Sequence, residues 1–283
     1  MKKKVGILYI CTGVYKMFWP EFYRSMGEHL LPTCEKHWFI FTDAAPEEIE
    51  GYGTDPNIHI KYQEKEPWPY PTLKRFHMFC SILPQLREMD YLYFFNSNMV
   101  CLKDITEEEF LPRNEDELVV VQHIGYIGLK PYKYPYDRNP KCQAYIPYNQ
   151  GKVYVFGGIN GASSKTYLAM VQELKRRVDV DLEHGIIAQW HDESHFNRYL
   201  YEGHPYRMLT PSYCYPEDWV TEYEPRILGL NKAKRFDVDH FKGYDQKLSK
   251  KELWARRLKR VIRNPRLLYW RDTLLRKKLP EVR

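Results

Sequence analysis

Apolar residues fall along the chain in short blocks, and the spacing inside each block assigns its structure. Val5–Cys11, His37–Phe41 and the run that opens DYLYFFNSNMV (residues 90–100) are nearly continuous apolar stretches of strand length. Each closes on a polar turn: Thr12-Gly13, Thr42-Asp43 and Asn96-Ser97-Asn98 respectively. Such runs read as strands buried on both faces. Ile58–Tyr62 alternates as a shorter strand, Leu118–Gln122 adds another, and Val153–Phe156 runs into Gly157-Gly158. After the proline-rich EPWPYPT, the residues Leu73, Phe76, Phe79, Leu83 and Leu86 recur at helical spacing, with Pro84 marking a kink. Ser163 or Ser164 caps a helix that buries Tyr167, Val171, Leu174 and Val178. A long Tyr/Pro loop precedes the Val153 strand and ends near Tyr148. Strands alternating with helices predict an α/β sandwich whose sheet is mostly parallel and flanked by helices. Ligands in such sheets gather at the carboxyl ends of the strands.

One short helix carries candidate chemistry. In WHDESHFNRYLYEG, Asp192 suits the N-cap, Phe196, Tyr199 and Leu200 form one apolar face, and Gly203 suits the C′ position. Glu193 then falls in the first turn, where the helix dipole favours its ionised form. A carboxylate there is a candidate nucleophile or stabiliser of developing positive charge; it could equally do no more than complement the helix end. His191 and His195 are four apart, but the zinc-hydrolase pattern needs glutamate directly after the first histidine, and Asp192 stands there. Gly157-Gly158 lacks the spacing of a dinucleotide fingerprint and signals close approach to backbone.

Composition alters this picture at the C-terminus. The 283 residues are 43% hydrophobic, enough for a substantial core, and the net charge is +6. Residues 245–283 hold 14 Lys and Arg against 4 Asp and Glu, leaving 29 against 33 in residues 1–244. The basic character therefore belongs to the tail, where Leu253, Trp254, Leu258, Val261 and Ile262, then Leu267, Trp270, Leu274 and Leu275, recur at helical spacing. A basic amphipathic pair suits an anionic membrane surface, with a solvated tail as the alternative. No recognition fold accompanies the charge, so nucleic acid is not an expected partner. The six cysteines are scattered without a C-x-x-C pair and read as reduced thiols of a cytoplasmic protein, peripheral at most on the inner membrane face. Val5–Cys11 is at the short limit for a signal peptide and lacks a cleavage site. No segment approaches the roughly 18 apolar residues that span a bilayer. Aromatics at 16%, including 24 Tyr and 7 Trp, suit either a ring-stacking surface or an aromatic core.

Taken together, FTD (41–43), the strand ending in Asn96-Ser97-Asn98, QAYIP (143–147), FGGINGAS (156–163) and WHDESHFNRYL (190–200) resemble glycosyltransferase family 6. This family includes the histo-blood-group A and B transferases, and the likeness is closest to its bacterial, metal-independent type. It covers residues 5–240; WHDES followed by H-F-N-R-Y is its most specific part. The resemblance implies a GT-A fold over 1–244, a UDP-sugar donor and retention of configuration. It implies Glu193 as the catalytic carboxylate and Asp192 as a donor-sugar contact. It implies that Ile10, Cys11, Thr12 and Tyr15 bind uridine, that Trp68 and Arg75 belong to the donor site, and that His123 and Trp190 bind acceptor. Phe156, Gly157 and Gly158 stand where family members discriminate donors, and glycine at 158 favours UDP-GalNAc over UDP-galactose by leaving room for the acetamido group.

Asn96, Ser97 and Asn98 stand where mammalian relatives carry Asp-x-Asp, whose anionic oxygens hold Mn²⁺ against the diphosphate. Neutral amides cannot offset a dication but do exchange hydrogen bonds with sugar and phosphate. The resemblance therefore implies no divalent metal and no cofactor beyond the donor itself. Lys232, Lys234 and Arg235 of NKAKR become the candidate cations for the departing UDP. The expected reaction is α1,3 transfer of N-acetylgalactosamine to a terminal, fucosylated β-galactoside. Its alternatives are galactosyl transfer and a carbohydrate-binding protein without turnover.

Overall fold

The computed structural model describes residues 2–244, 249–252 and 254–255. The domain boundary placed at 244 and the amphipathic pattern of 245–283 lie almost wholly outside the described residues. Seven strands form the main sheet: β1 (Lys4–Ile10), β2 (Glu35–Thr42), β3 (Ile58–Tyr62), β4 (Tyr91–Phe95), β6 (Leu118–Gln122), β7 (Val155–Ser163) and β8 (Tyr206–Leu209). Their order is β3-β2-β1-β4-β7-β6-β8, and only β7 runs against the rest. A small second sheet joins β5 (Met99–Cys101), β10 (Ile227–Gly229) and β9 (Tyr215–Pro216). The expected α/β class with a mostly parallel sheet is what the chain adopts.

The helices are α1 (Trp19–His29), α2 (Tyr70–Leu73), α3 (Arg75–Cys80), α4 (Leu83–Leu86), α5 (Glu107–Phe110), α6 (Ser164–Glu183), α7 (Asp192–Tyr201) and α8 (Val238–Phe241). Two apolar layers sandwich the sheet. Val5, Ile7, Tyr9, Trp38, Ile40, Tyr93 and Phe95 face α1, whereas Leu8, Phe39, Phe41, Leu92 and Phe94 face α3, α6 and α7. Both faces of each central strand are thus apolar, which is why these strands read as unbroken runs. Among the described residues no helix is long and apolar enough to cross a membrane.

Two elements differ from the sequence expectation. The kinked helix over 73–86 is three short helices instead: Pro71 and Pro84 sit in the first turns of α2 and α4, and Lys74, at φ −95 and ψ 15, separates α2 from α3. The Trp68-Pro69 bond before them is cis. The strand assigned to 153–156 begins at Val155 and continues through both glycines to Ser163, since β4 flanks it as far as Tyr91 opposite Ser163.

Candidate active site

The carboxyl ends of β1 and β4, the start of α3, the glycines of β7 and the start of α7 converge on one cleft of about 280 Å³. Ile10, Thr12, Tyr15, Trp68, Arg75, Asn96, Ser97, Gly157, Gly158, Trp190, Asp192, Glu193 and Lys232 all line it. Alternation along β1 explains one absence. Cys11 continues the odd-numbered series of Val5, Ile7 and Tyr9 into the α1 core, so its thiol is turned away. Asn98 is also turned away: its Nδ2 donates to the Leu230 carbonyl at 2.7 Å, tying the C-terminal segment to the end of β4.

The glycines of β7 are set by packing. Pairing of β6 with β7 jumps from Val120 opposite Asn160 to Val121 opposite Phe156, so Gly157, Gly158 and Ile159 bulge away from β6. The freed Gly157 N–H donates to Glu193 Oε2 at 2.7 Å. A β-carbon on Gly157 would meet Glu193 Cβ at 2.9 Å, so only glycine admits α7 at this distance. The Tyr154 hydroxyl donates to the other oxygen, Oε1, at 2.6 Å. Four residues along α7, Asn197 Nδ2 donates to the Glu193 carbonyl and to Val155 O, and its Oδ1 accepts from Val155 N–H, which locks the helix to β7.

Asp192 does not cap α7. The cap position is His191, with no side-chain cap, and Asp192 is the first helical residue. Its buried carboxylate lies 3.0 Å from Arg75 Nη1. That guanidinium nitrogen also donates to Gly157 O at 2.8 Å, and the group stacks 3.9 Å over Phe94. Removal from water pushes Asp192 up to about 7, an effect that Arg75 opposes and neighbouring Glu193 reinforces. Glu193 is raised too. Burial outweighs the Tyr154 hydroxyl, the Gly157 N–H and Arg75, all of which favour its charged form. The first-turn position alone therefore does not keep Glu193 at an ordinary carboxylate pKa. His191, edge-on to Trp68 at 5.2 Å, has φ 54 and ψ −124, a backbone conformation that costs a non-glycine residue roughly 1–3 kcal/mol.

The basic cluster divides. Lys232 lines the cleft, its ammonium 5.0 Å over the Tyr15 ring, and burial beside Lys242 and Arg75 lowers it to about 7. Lys234 instead pairs with Asp218, and Arg235 with Glu217 at 2.8 Å. Lys242 was not anticipated; it lines the same cleft 3.7 Å over Trp68. The segment reaches the cleft because Phe236 and Phe241 pack edge-on against Tyr15. Tyr154 and Asn197 were missed as well. A signal existed for each: Tyr154 falls within the run read as a strand from Val153 to Phe156, and Asn197 lies one helical turn from Glu193.

Phe156 does not line the cleft. Its ring occupies the space a β-carbon would take at Gly158, with Cζ at 2.3 Å and Asn96 Nδ2 also at 2.3 Å. The glycine therefore answers to its neighbours Phe156 and Asn96, which leave no space for a side chain there, while its own backbone lines the cleft. His123 lies behind Phe156, at 5.7 Å ring to ring, and 5.8 Å from Tyr154; burial lowers it to about 4, so it is neutral. Trp190, 48% exposed, forms the rim.

A dication fits this donor set poorly. Asn96 and Asn98 are uncharged, and Asn98 is outside the cleft with its Nδ2 committed to Leu230 O. No group of three His, Cys, Asp or Glu suited to a metal occurs among the described residues. The cleft instead gathers Arg75, Lys232 and Lys242, an electropositive wall facing two acids.

The sequence matches the family described as "Glycosyltransferase family 6" over residues 1–235. It is 31% identical over 230 residues to the O-antigen biosynthesis glycosyltransferase WbnI of Escherichia coli, covering 81% of this chain and 95% of that protein. The human globoside α-1,3-N-acetylgalactosaminyltransferase 1 is 24% identical over 240 residues, covering 83% and 67% respectively. The rat histo-blood group ABO system transferase 1 is 27% identical over 218 residues, covering 75% of this chain and 61% of the rat protein.

Proposed function

The chain belongs to glycosyltransferase family 6 and is a hexosyltransferase, and from that premise we propose that it transfers N-acetylgalactosamine from UDP-GalNAc to the 3-hydroxyl of a terminal, fucosylated β-galactoside, in α1,3 linkage with retention and without a metal. The observation that carries this reading is the Glu193 carboxylate, held by Tyr154 and Gly157 between the Arg75–Asp192 pair and the Trp190 rim. In the transfer the bond from the sugar's anomeric carbon to the UDP oxygen breaks, and a bond to the acceptor's 3-oxygen forms. The acceptor hydroxyl passes its proton to the departing diphosphate oxygen as UDP leaves. Positive charge accumulates on the anomeric carbon, and a buried carboxylate either attacks it or stabilises it from close range. Arg75, Lys232 and Lys242 face the developing charge on the diphosphate.

Two alternatives are carried into the test. Because Phe156 accounts for Gly158, UDP-galactose is a competing donor. A non-catalytic carbohydrate binder would bind UDP-sugars but release no UDP when acceptor is added. Screening UDP-sugars against fucosylated and plain galactosides, with UDP release followed with and without acceptor, separates all three. Transfer of galactose only, or no acceptor-dependent release, would overturn the proposal.

Metal independence has its own test. Transfer should persist in excess EDTA, and Mn²⁺ should change it little; loss in EDTA with recovery on Mn²⁺ would refute it. Lys232→Ala should weaken UDP binding by on the order of ten- to a hundredfold, since a charge-assisted contact contributes roughly 1.5–3 kcal/mol. The sign of the pH dependence follows from the lowered lysine. Lys232 is charged below about 7 and neutral above it, so UDP affinity falls as pH rises through that value and binding at pH 8 takes up a proton. Calorimetry in two buffers of different ionisation enthalpy measures this uptake, which should vanish in Lys232→Ala.

A further inference from the structure

The Tyr/Pro-rich stretch between β6 and β7 has no part in the cleft lining, yet it is bound tightly to the segment that carries Glu193. Tyr134, Tyr136, Ile146 and Tyr154 form an apolar cluster of their own. Arg138 donates to the carbonyls of Pro131, Ile146 and Pro147, at 2.9, 2.7 and 2.5 Å, which closes the loop on itself. Three ties then run outward. Asp181 on α6 accepts from Gln143 N–H at 2.9 Å and from the Cys142 thiol at 3.0 Å. Arg198 on α7 donates to Tyr145 O at 2.6 Å. Asp137, buried at 5% exposure, accepts from Asn139 N–H through Oδ1 and from Gln189 N–H through Oδ2, both at 2.8 Å.

The third tie falls at a critical place. Gln189 is followed by Trp190, then by His191 in its strained left-handed conformation, then by Asp192 and Glu193. Such a conformation persists only where the surroundings over-determine it. Local restraints on this turn are His191 N–H to Ala188 O at 2.9 Å, Glu193 N–H to Trp190 O at 3.1 Å and Trp190 N–H to Ser194 Oγ at 2.9 Å. From farther along the chain, Trp68 packs against His191 and Arg75 pairs with Asp192, while the Asp137 carboxylate, 52 residues away in sequence, holds the backbone at the start of the turn. We infer that Asp137 is a positioning residue: acting through the Gln189 backbone, it holds the strained turn so that Trp190 and Glu193 stay in register with the β7 glycines. The inference rests on the reading of Glu193 and Trp190 as working residues of the cleft.

Asp137→Asn is the conservative test, since asparagine keeps one carbonyl acceptor but presents an NH₂ group to one of the two N–H donors. In the full chain, kcat for transfer should fall about tenfold or more, while UDP affinity by calorimetry stays within about twofold, as misplacement of reacting groups predicts. Hydrogen exchange supplies a readout that needs no turnover. Amides of residues 189–193 should exchange faster in Asp137→Asn than in the parent, with β1 and β2 unchanged, and Asp137→Ala should show the same pattern more strongly. If the parent protein transferred no sugar, the reading of Glu193 would fail while faster local exchange still upheld the tether. Unchanged exchange at 189–193, or a loss of thermal stability with unaltered kcat and exchange, would overturn the positioning role.

Discussion

Glu193→Gln lowers transfer by about a hundredfold or more while leaving UDP affinity intact, the size of effect seen when a preorganised charge-stabilising group is lost. The substitution preserves shape: one amide oxygen still accepts from Gly157 N–H, and the Tyr154 hydroxyl can rotate to accept from the NH₂ group. Folding is therefore retained and the loss is specific to charge. Arg75 and Lys232, which face the diphosphate in the proposed complex, are untouched. Transfer rates with saturating donor, alongside UDP calorimetry, measure the split; near-normal turnover would show that this carboxylate merely fastens α7 to β7. Tyr154→Phe gives a second check with a definite sign. Removing a donor to the charged form raises the Glu193 pKa further above its already raised position. Activity that requires ionised Glu193 must then lose its acid limb at higher pH. A downward move of that limb would contradict the assignment.

Gly158→Ala is expected to lose both stability and activity with every donor. An alanine β-carbon would stand 2.3 Å from Phe156 Cζ and from Asn96 Nδ2, and overpacking of a tight site costs about 1–3 kcal/mol. Because Asn96 lines the cleft, its displacement carries the damage to bound donor. Shortening the ring should relieve most of the conflict, so Phe156→Leu combined with Gly158→Ala regains stability relative to Gly158→Ala alone. Only in that double variant does the ratio of UDP-GalNAc to UDP-galactose transfer report on room for the acetamido group. Denaturant unfolding and paired donor assays decide the matter. A Gly158→Ala protein of parental stability, altered solely in donor ratio, would show that Phe156 and Asn96 yield freely and would restore the simpler steric account.

Several features of this molecule were legible before folding. The central strands announce themselves as unbroken apolar runs because both sheet faces are covered, and the Ser163 cap of α6 follows from a local hydrogen bond to Thr166 N–H. The WHDES stretch marked Glu193 for the same reason: residue type and neighbours along the chain carried the signal. The helix expected over 73–86 failed locally, at its prolines, but at Asp192 a long-range contact overruled a local preference. Asp192 has the chemistry of an N-cap, but a buried guanidinium 117 positions earlier in the chain holds its carboxylate instead.

Sequence by itself determined the class of fold, the family and the segment that brings Glu193 to the cleft, because these depend on periodicity and on motifs whose parts are adjacent in the chain. The tertiary structure alone decided which side chains meet. It turned Cys11 and Asn98 out of the cleft, paired Lys234 and Arg235 with Asp218 and Glu217, and brought Lys242 in beside Lys232. It also filled the space at Gly158 with Phe156. The physical reason is that charge pairing and close packing depend on distances of a few ångströms between residues far apart in the chain, and no spacing along one strand or helix encodes those distances.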